Sequence, residues 1–191
     1  MRKLLLVAAL ALVALAASVT AASASTVTAS PGGNITGTSL GTVTFADANF
    51  GISINCNVTL TGSLATRAEG TLPIANVGGI TGGSTANCEG GSATILANAT
   101  TNRWAMSSNS VSGGVATATF TGVKFLISIP FFSACLYTTR ANASYSNSTG
   151  LMTITEIALV SSTYLSGFGC ATAPTMEGVF AISPRQTIAL S

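Results

Sequence analysis

Five carboxylates, four cysteines and no histidine set the chemistry open to this chain. Without imidazole there is no Ser-His-Asp or Cys-His nucleophile system, no histidine acid or base, and little scope for zinc catalysis. Glycoside hydrolysis needs only two carboxyl groups, about 5–10 Å apart depending on mechanism. The candidates are Asp47, Glu69, Glu89, Glu156 and Glu177. Glu156 stands out because the alternation Met152-Thr-Ile154-Thr-Glu156 would carry it onto an apolar face. A register change at Glu156-Ile157 would turn it outward instead, and that is the favoured expectation. Asp47 and Asn49 could share a calcium ion with backbone carbonyls, but Asp47-Ala-Asn49 reads first as a turn. Lys124 sits in Gly122-Val-Lys-Phe-Leu126 with no nucleophile motif around it, which suits a strand lysine lying along apolar surface. The Gly pairs precede no helix, so no phosphate loop is expected. No catalytic residue, cofactor or metal ligand is assigned.

The cysteines read differently. Cys56, Cys88, Cys135 and Cys170 contain no CxxC pair, which argues against a zinc cluster. An even number in an exported chain predicts two disulfides, with three pairings possible. The sequential pairing, Cys56–Cys88 and Cys135–Cys170, is favoured because it closes two loops of similar length. Trp104, the sole tryptophan, could stack on a sugar, but a buried role beside a disulfide is the favoured expectation.

Export follows from the first residues. Arg2 and Lys3 form a basic start, Leu4 to Ala17 is an unbroken apolar run, and Ala22-Ser-Ala24 matches a signal-peptidase site. The apolar run is shorter than the ~20 residues of a membrane span. Residues 1–24 are therefore expected to be a cleaved signal peptide, leaving a secreted product with no stable membrane anchor. Cleavage removes two of the 7 basic residues, so 7 − 2 = 5 bases face 5 acids. A neutral mature chain without a basic run is not expected to bind nucleic acid. Asn-x-Ser/Thr sequons at Asn34, Asn57, Asn98, Asn142 and Asn147 are expected to stay unmodified.

These residues must be positioned by strands. From Phe50 to Leu60 every second residue is apolar, the period of a strand with one buried face, and Cys56 falls on that face. Eleven residues at about 3.3 Å each extend ~36 Å, long enough to demand twist or a bulge. Thr42–Phe45 is expected to pair with it as a hairpin. A second hairpin is expected between Ala93–Leu96 and Arg103–Met106. Val115 to Ile129 reads as a long strand with a bulge at Thr121-Gly122, because the apolar positions change parity there. Cys135–Tyr145, Leu151–Val160 and Gly178–Ile182 continue the pattern, with Gly, Asn and Ser turns between them. The expected fold is an all-β antiparallel sandwich with long twisted strands, or alternatively a flattened barrel. Residues 25–40 are expected to be a flexible leader or edge strand, and 41–191 a single domain.

Several segments carry a resemblance. Ile80-Thr-Gly-Gly-Ser-Thr-Ala-Asn-Cys88, Trp104, Ala143-Ser-Tyr-Ser-Asn-Ser-Thr-Gly-Leu-Met-Thr-Ile154, Gly167-Phe-Gly-Cys170 and Gly178-Val-Phe-Ala-Ile-Ser-Pro-Arg-Gln-Thr-Ile188 recur in order. Together they resemble an uncharacterised family of small secreted proteins common in actinobacteria. The resemblance implies an exported, disulfide-containing β-protein and brings no assigned activity or site. The functional expectation is a secreted, non-catalytic extracellular or cell-envelope β-protein, an interaction or structural module. Wall glycan or further copies of the chain are the partners its neutral, hydroxyl-rich surface suits. The alternatives are a carboxylate-dependent glycoside hydrolase or carbohydrate-binding module, and a membrane-active protein using the apolar segment 125–132.

Overall fold

Alternation of apolar with small polar residues is what the backbone obeys. The computed structural model describes residues 24–47, 52–130, 133–155, 159–167, 170 and 174–191, and all regular elements in them are strands. In chain order they are β1 (Ser25–Ser30), β2 (Gly33–Ser39), β3 (Val43–Asp47), β4 (Ile52–Leu64), β5 (Arg67–Gly70), β6 (Ile74–Glu89) and β7 (Ser92–Ile95). Then follow β8 (Trp104–Ser112), β9 (Val115–Ile129), β10 (Ser133–Ser146), β11 (Leu151–Thr155), β12 (Leu159–Gly167), β13 (Pro174–Ser183) and β14 (Thr187–Leu190). The pairings are antiparallel throughout. The fold is all-β and sandwich-like, as the alternation predicts.

The two ends of the sandwich are built differently. At one end the layers are β12-β10-β9-β7 and β13-β3-β4-β6. Phe45 of the second layer meets Phe125 of the first at a ring-centroid distance of 5.4 Å, and Tyr137 follows at 5.7 Å. Such tilted pairs add roughly 0.5–1.5 kcal/mol each beyond the area they bury. At the other end the pairings run in a circuit, β10-β11-β13-β2-β4-β6-β8-β9 and back to β10. There the layers merge into a ring of strands. The remaining sheet, β14-β1-β5, places Val27 and Ala29 in the same core cluster.

Long strands make this double architecture possible. β4, β6, β9 and β10 have 13, 16, 15 and 14 residues, so each serves the layered end and the ring in turn. Keeping one face inward over such lengths needs bulges. On β9 the partners jump from Thr139↔Val123 to Ala141↔Phe120, so Thr121 and Gly122 oppose one residue. Gly122 has φ +72°, a conformation open to glycine. Ala116 and Phe120 therefore face the same interior as Val123, Phe125 and Ile127 despite their change of parity. Gly62, at the register shift of β4 against β6, is also required: a Cβ there would overlap the Gly79 carbonyl oxygen.

Three expectations are corrected. Residues 25–40 are neither a flexible leader nor an edge strand. They form β1 and β2, β2 is paired on both sides, and the core begins at Val27, well before residue 41. Ala93–Leu96 does not pair with Arg103–Met106; β7 pairs with β9, β8 pairs with β6 and β9, and only a bridge joins Asn98 to Asn102. Lateral neighbours set by the long β9 override the local hairpin signal. The strand expected to end at Leu60 runs on to Leu64, while Phe50 and Gly51 lie outside the described residues. So do residues 1–23 of the expected signal peptide.

Candidate functional site

The ring end has an interior that its own side chains do not fill. Inward positions there are small: Gly37 on β2, Ala116 on β9 and Ala143 on β10 all line one cavity of about 60 Å³. Larger apolar side chains, Leu60, Met106, Phe120 and Met152, complete its wall, and Val27 and Ile188 approach from β1 and β14. Residues of β8 alternate inward as Trp104, Met106 and Ser108, at 2%, 9% and 4% exposure. Ser108 lines the cavity, and its Oγ is buried without a hydrogen-bond partner.

Tyr145 and Gln186 also line the cavity and belong to a polar node in which the groups are paired. Tyr145 Oη donates to the Gln186 carbonyl at 2.8 Å and accepts the Gln186 N–H at 2.9 Å. Gln186 is itself buried; its Oε1 accepts the Gly32 N–H and its Nε2 donates to the Pro184 carbonyl, both at 2.8 Å. Asn147 repeats the arrangement one step on. Its Nδ2 donates to the Ile188 carbonyl at 2.8 Å and its Oδ1 accepts the Ile188 N–H at 2.9 Å. Arg185 Nε donates to the Asn147 carbonyl at 3.0 Å. The hairpin Tyr145–Gly150 and the segment Ser183–Ile188 are thus one unit, holding β14 at the mouth of the ring.

The cysteines form two bonds, Cys56–Cys88 and Cys135–Cys170. The first crosses β4 and β6 at a bulge, where the partners pass from Asn55↔Glu89 to Asn57↔Ala86. Asn87, at φ +50°, is the extra residue that brings Cys88 opposite Cys56. The second anchors Cys170, three residues past the end of β12, to the buried Cys135 of β10.

The carboxylates are not brought together where they are described. Glu177, Thr44, Asn55 and Glu89 form one transverse row across β13, β3, β4 and β6. Thr44 Oγ1 donates to Asn55 Oδ1 in its middle at 2.8 Å. Three strand steps of about 4.8 Å separate the two exposed glutamates by ~14 Å, beyond the reach of a glycosidase pair. Glu69 is exposed and accepts from Arg67 Nε at 2.7 Å. Glu156 and Asn49 lie outside the described residues, as does the side chain of Asp47. Among the described residues no three His, Cys, Asp or Glu are grouped to hold a metal. Lys124 is half-buried opposite Thr138, and Trp104 is too deeply buried to present a stacking face. Residues 125–128 are paired with β7 and β10 on either side, and Ile129 with β10; Phe131 and Phe132 lie outside the described residues. No helix among the described residues is long and apolar enough to cross a membrane.

A family model described as alkane oxidation protein activator PraA/PraB-like matches residues 1–190. The chain belongs to that family. Comparison with curated proteins and with solved structures finds no match.

For this PraA/PraB-like chain, sequence reasoning located the cysteines and the two segments of the polar node, but not the contact between those segments. Tyr145 and Gln186 are 41 residues apart, and nothing local joins them. Ser108 was missed altogether. It stands in Ser107-Ser-Asn-Ser110, whose polarity resembles a turn, and only the inward partners Trp104 and Met106 at the preceding even positions signal its face.

Proposed function

We propose that the chain is a secreted, non-catalytic β-module of the cell exterior or envelope, acting through the hydroxyl-rich part of its outer face. The observation that carries this reading is a set of hydroxyl and amide rows across the strands. Ser107, Thr119, Asn142 and Thr155 succeed one another across β8, β9, β10 and β11. Asn109 Nδ2 donates to Thr119 Oγ1 at 2.9 Å, and Thr119 Oγ1 donates to Asn142 Oδ1 at 3.0 Å. A second row runs through Ser110, Thr117, Ser144 and Thr153, with the Ser110 and Thr117 hydroxyls 2.7 Å apart. Groups already held at strand spacing lose little freedom on binding a repetitive polar partner such as wall glycan or a second copy.

Two further observations support the reading. The pair of disulfides suits an oxidising, extracytoplasmic compartment, and the start of the chain has the charge and apolar pattern of a signal peptide. An activator of alkane oxidation, the description attached to the family, is compatible with an accessory role. The actinobacterial setting rests on the sequence resemblance alone.

Pelleting of the mature protein with insoluble wall glycan tests the proposal, alongside its sedimentation alone. The expected result is retention in the glycan pellet or self-association, unchanged by raising salt because the mature chain is neutral. Replacing Thr119 and Asn142 by valine and leucine should abolish it while leaving the fold intact. A monodisperse monomer that ignores glycan would overturn the assignment, as would glycan hydrolysis by the purified protein.

A further inference from the structure

We infer that the ring interior is a binding site for a small aliphatic molecule carrying a single hydroxyl group, its alkyl part against Leu60, Met106, Phe120 and Met152 and its oxygen on Ser108 Oγ. This goes beyond the outer-face role and does not depend on it.

Size, lining and one polar atom decide the ligand class. A cavity of about 60 Å³ exceeds the ~10–15 Å³ that one water requires. Water, however, needs roughly 2–4 polar partners to be held in a protein interior. Tyr145 and Gln186 also line the cavity, but the Tyr145 hydroxyl is bonded to the Gln186 backbone and the Gln186 side-chain amide to Gly32 and Pro184. Ser108 Oγ is the polar side-chain atom that lines the cavity, is buried and lacks a partner among the described residues. A water placed there would satisfy one bond and forfeit the rest. A hydroxyl on an alkyl chain needs little more than that bond, and its methylenes meet an apolar wall.

Sequence economy points the same way. A buried serine without a partner costs about 1–3 kcal/mol relative to a paired one. Alanine would fit the same space without that cost. The lining also has the means to adapt, since Met106 and Met152 are unbranched and flexible and can move to admit a chain of a few carbons. The volume is under half of the ~150 Å³ apolar cavity that accepts benzene. A short primary alcohol is therefore the probe of choice, and xenon is the matched probe without a hydroxyl.

The test uses the mature, disulfide-intact protein with methyl-labelled methionine. Titration with ethanol and, separately, xenon should shift the Met106 and Met152 methyl resonances. Ala143→Leu, which fills the cavity, should remove both responses; Ala116→Val serves the same purpose if the first variant does not fold. Ser108→Ala should weaken ethanol binding roughly tenfold and leave xenon binding unchanged, the expected signature of one lost hydrogen bond. No shift with either probe, or shifts that survive cavity filling, would overturn the site. Equal ethanol affinity in Ser108→Ala would overturn the assignment of the hydroxyl. Neither failure bears on the outer-face proposal, which is read by glycan pelleting.

Discussion

Replacing Tyr145 with phenylalanine removes one oxygen and leaves two backbone groups without partners. The Gln186 N–H and carbonyl both bond to Tyr145 Oη, at 2.9 and 2.8 Å, and Gln186 is 1% exposed. An unsatisfied buried group costs about 1–3 kcal/mol. Two such groups, relieved in part by relaxation of β14, give an expected loss of about 2–4 kcal/mol. For a chain of this size each kcal/mol lowers the melting temperature by roughly 2–4 °C, so a fall of about 5–15 °C is expected. The assay is thermal unfolding of the oxidised protein followed by circular dichroism, with amide exchange measured on β14. Ile188, which Asn147 also holds, should exchange faster, while Ile54 and Val58 in β4 keep their protection. A melting temperature within a degree of the parent would refute the claim that this hydroxyl is the anchor of β14. So would uniform acceleration of exchange across β4 and β14.

Other expectations follow from the same geometry. The disulfides close separations of 32 and 35 residues. Chain entropy assigns each about 3.5–4 kcal/mol. Serine at both Cys56 and Cys88 should therefore lower denaturant stability by up to that amount, and unchanged stability would contradict the estimate. Gly62→Ala should destabilise by at least 1 kcal/mol, on the order of other strained-backbone substitutions, because its Cβ overlaps the Gly79 carbonyl oxygen. A neutral result in urea denaturation would mean that β4 and β6 can separate there.

The residue pattern in Ile54–Leu60, Phe125–Ile129 and Cys135–Tyr145 was enough to assign strands, and in Ile54–Leu60 the buried face as well. Period-two patterning is a local property that survives without knowledge of neighbours. The bulge at Thr121-Gly122 was legible for the same reason, since apolar parity changes across a glycine. The partner of each strand was not legible in every case. The Ala93–Met106 segment looks like a hairpin locally, yet β7 is claimed by β9. Likewise, the Ser, Thr and Gly content of residues 25–40 suggested a loose leader. β2 is nevertheless an interior strand, because its small residues fit between β13 and β4.

The sequence by itself determined an all-β chain whose alternating strands bury one face and whose histidine-free composition removes whole classes of chemistry. Those are consequences of residue type and of a two-residue period. Only the tertiary structure decided that the layers merge into a ring at one end, because closure depends on β10 pairing with both β9 and β11. It also decided the cavity. Gly37, Ala116 and Ala143 are unremarkable small residues in their own strands, and they leave a void only because three distant strands turn them toward one point. Ser108 acquires its unpaired hydroxyl in the same way, from a packing that no stretch of sequence around it contains.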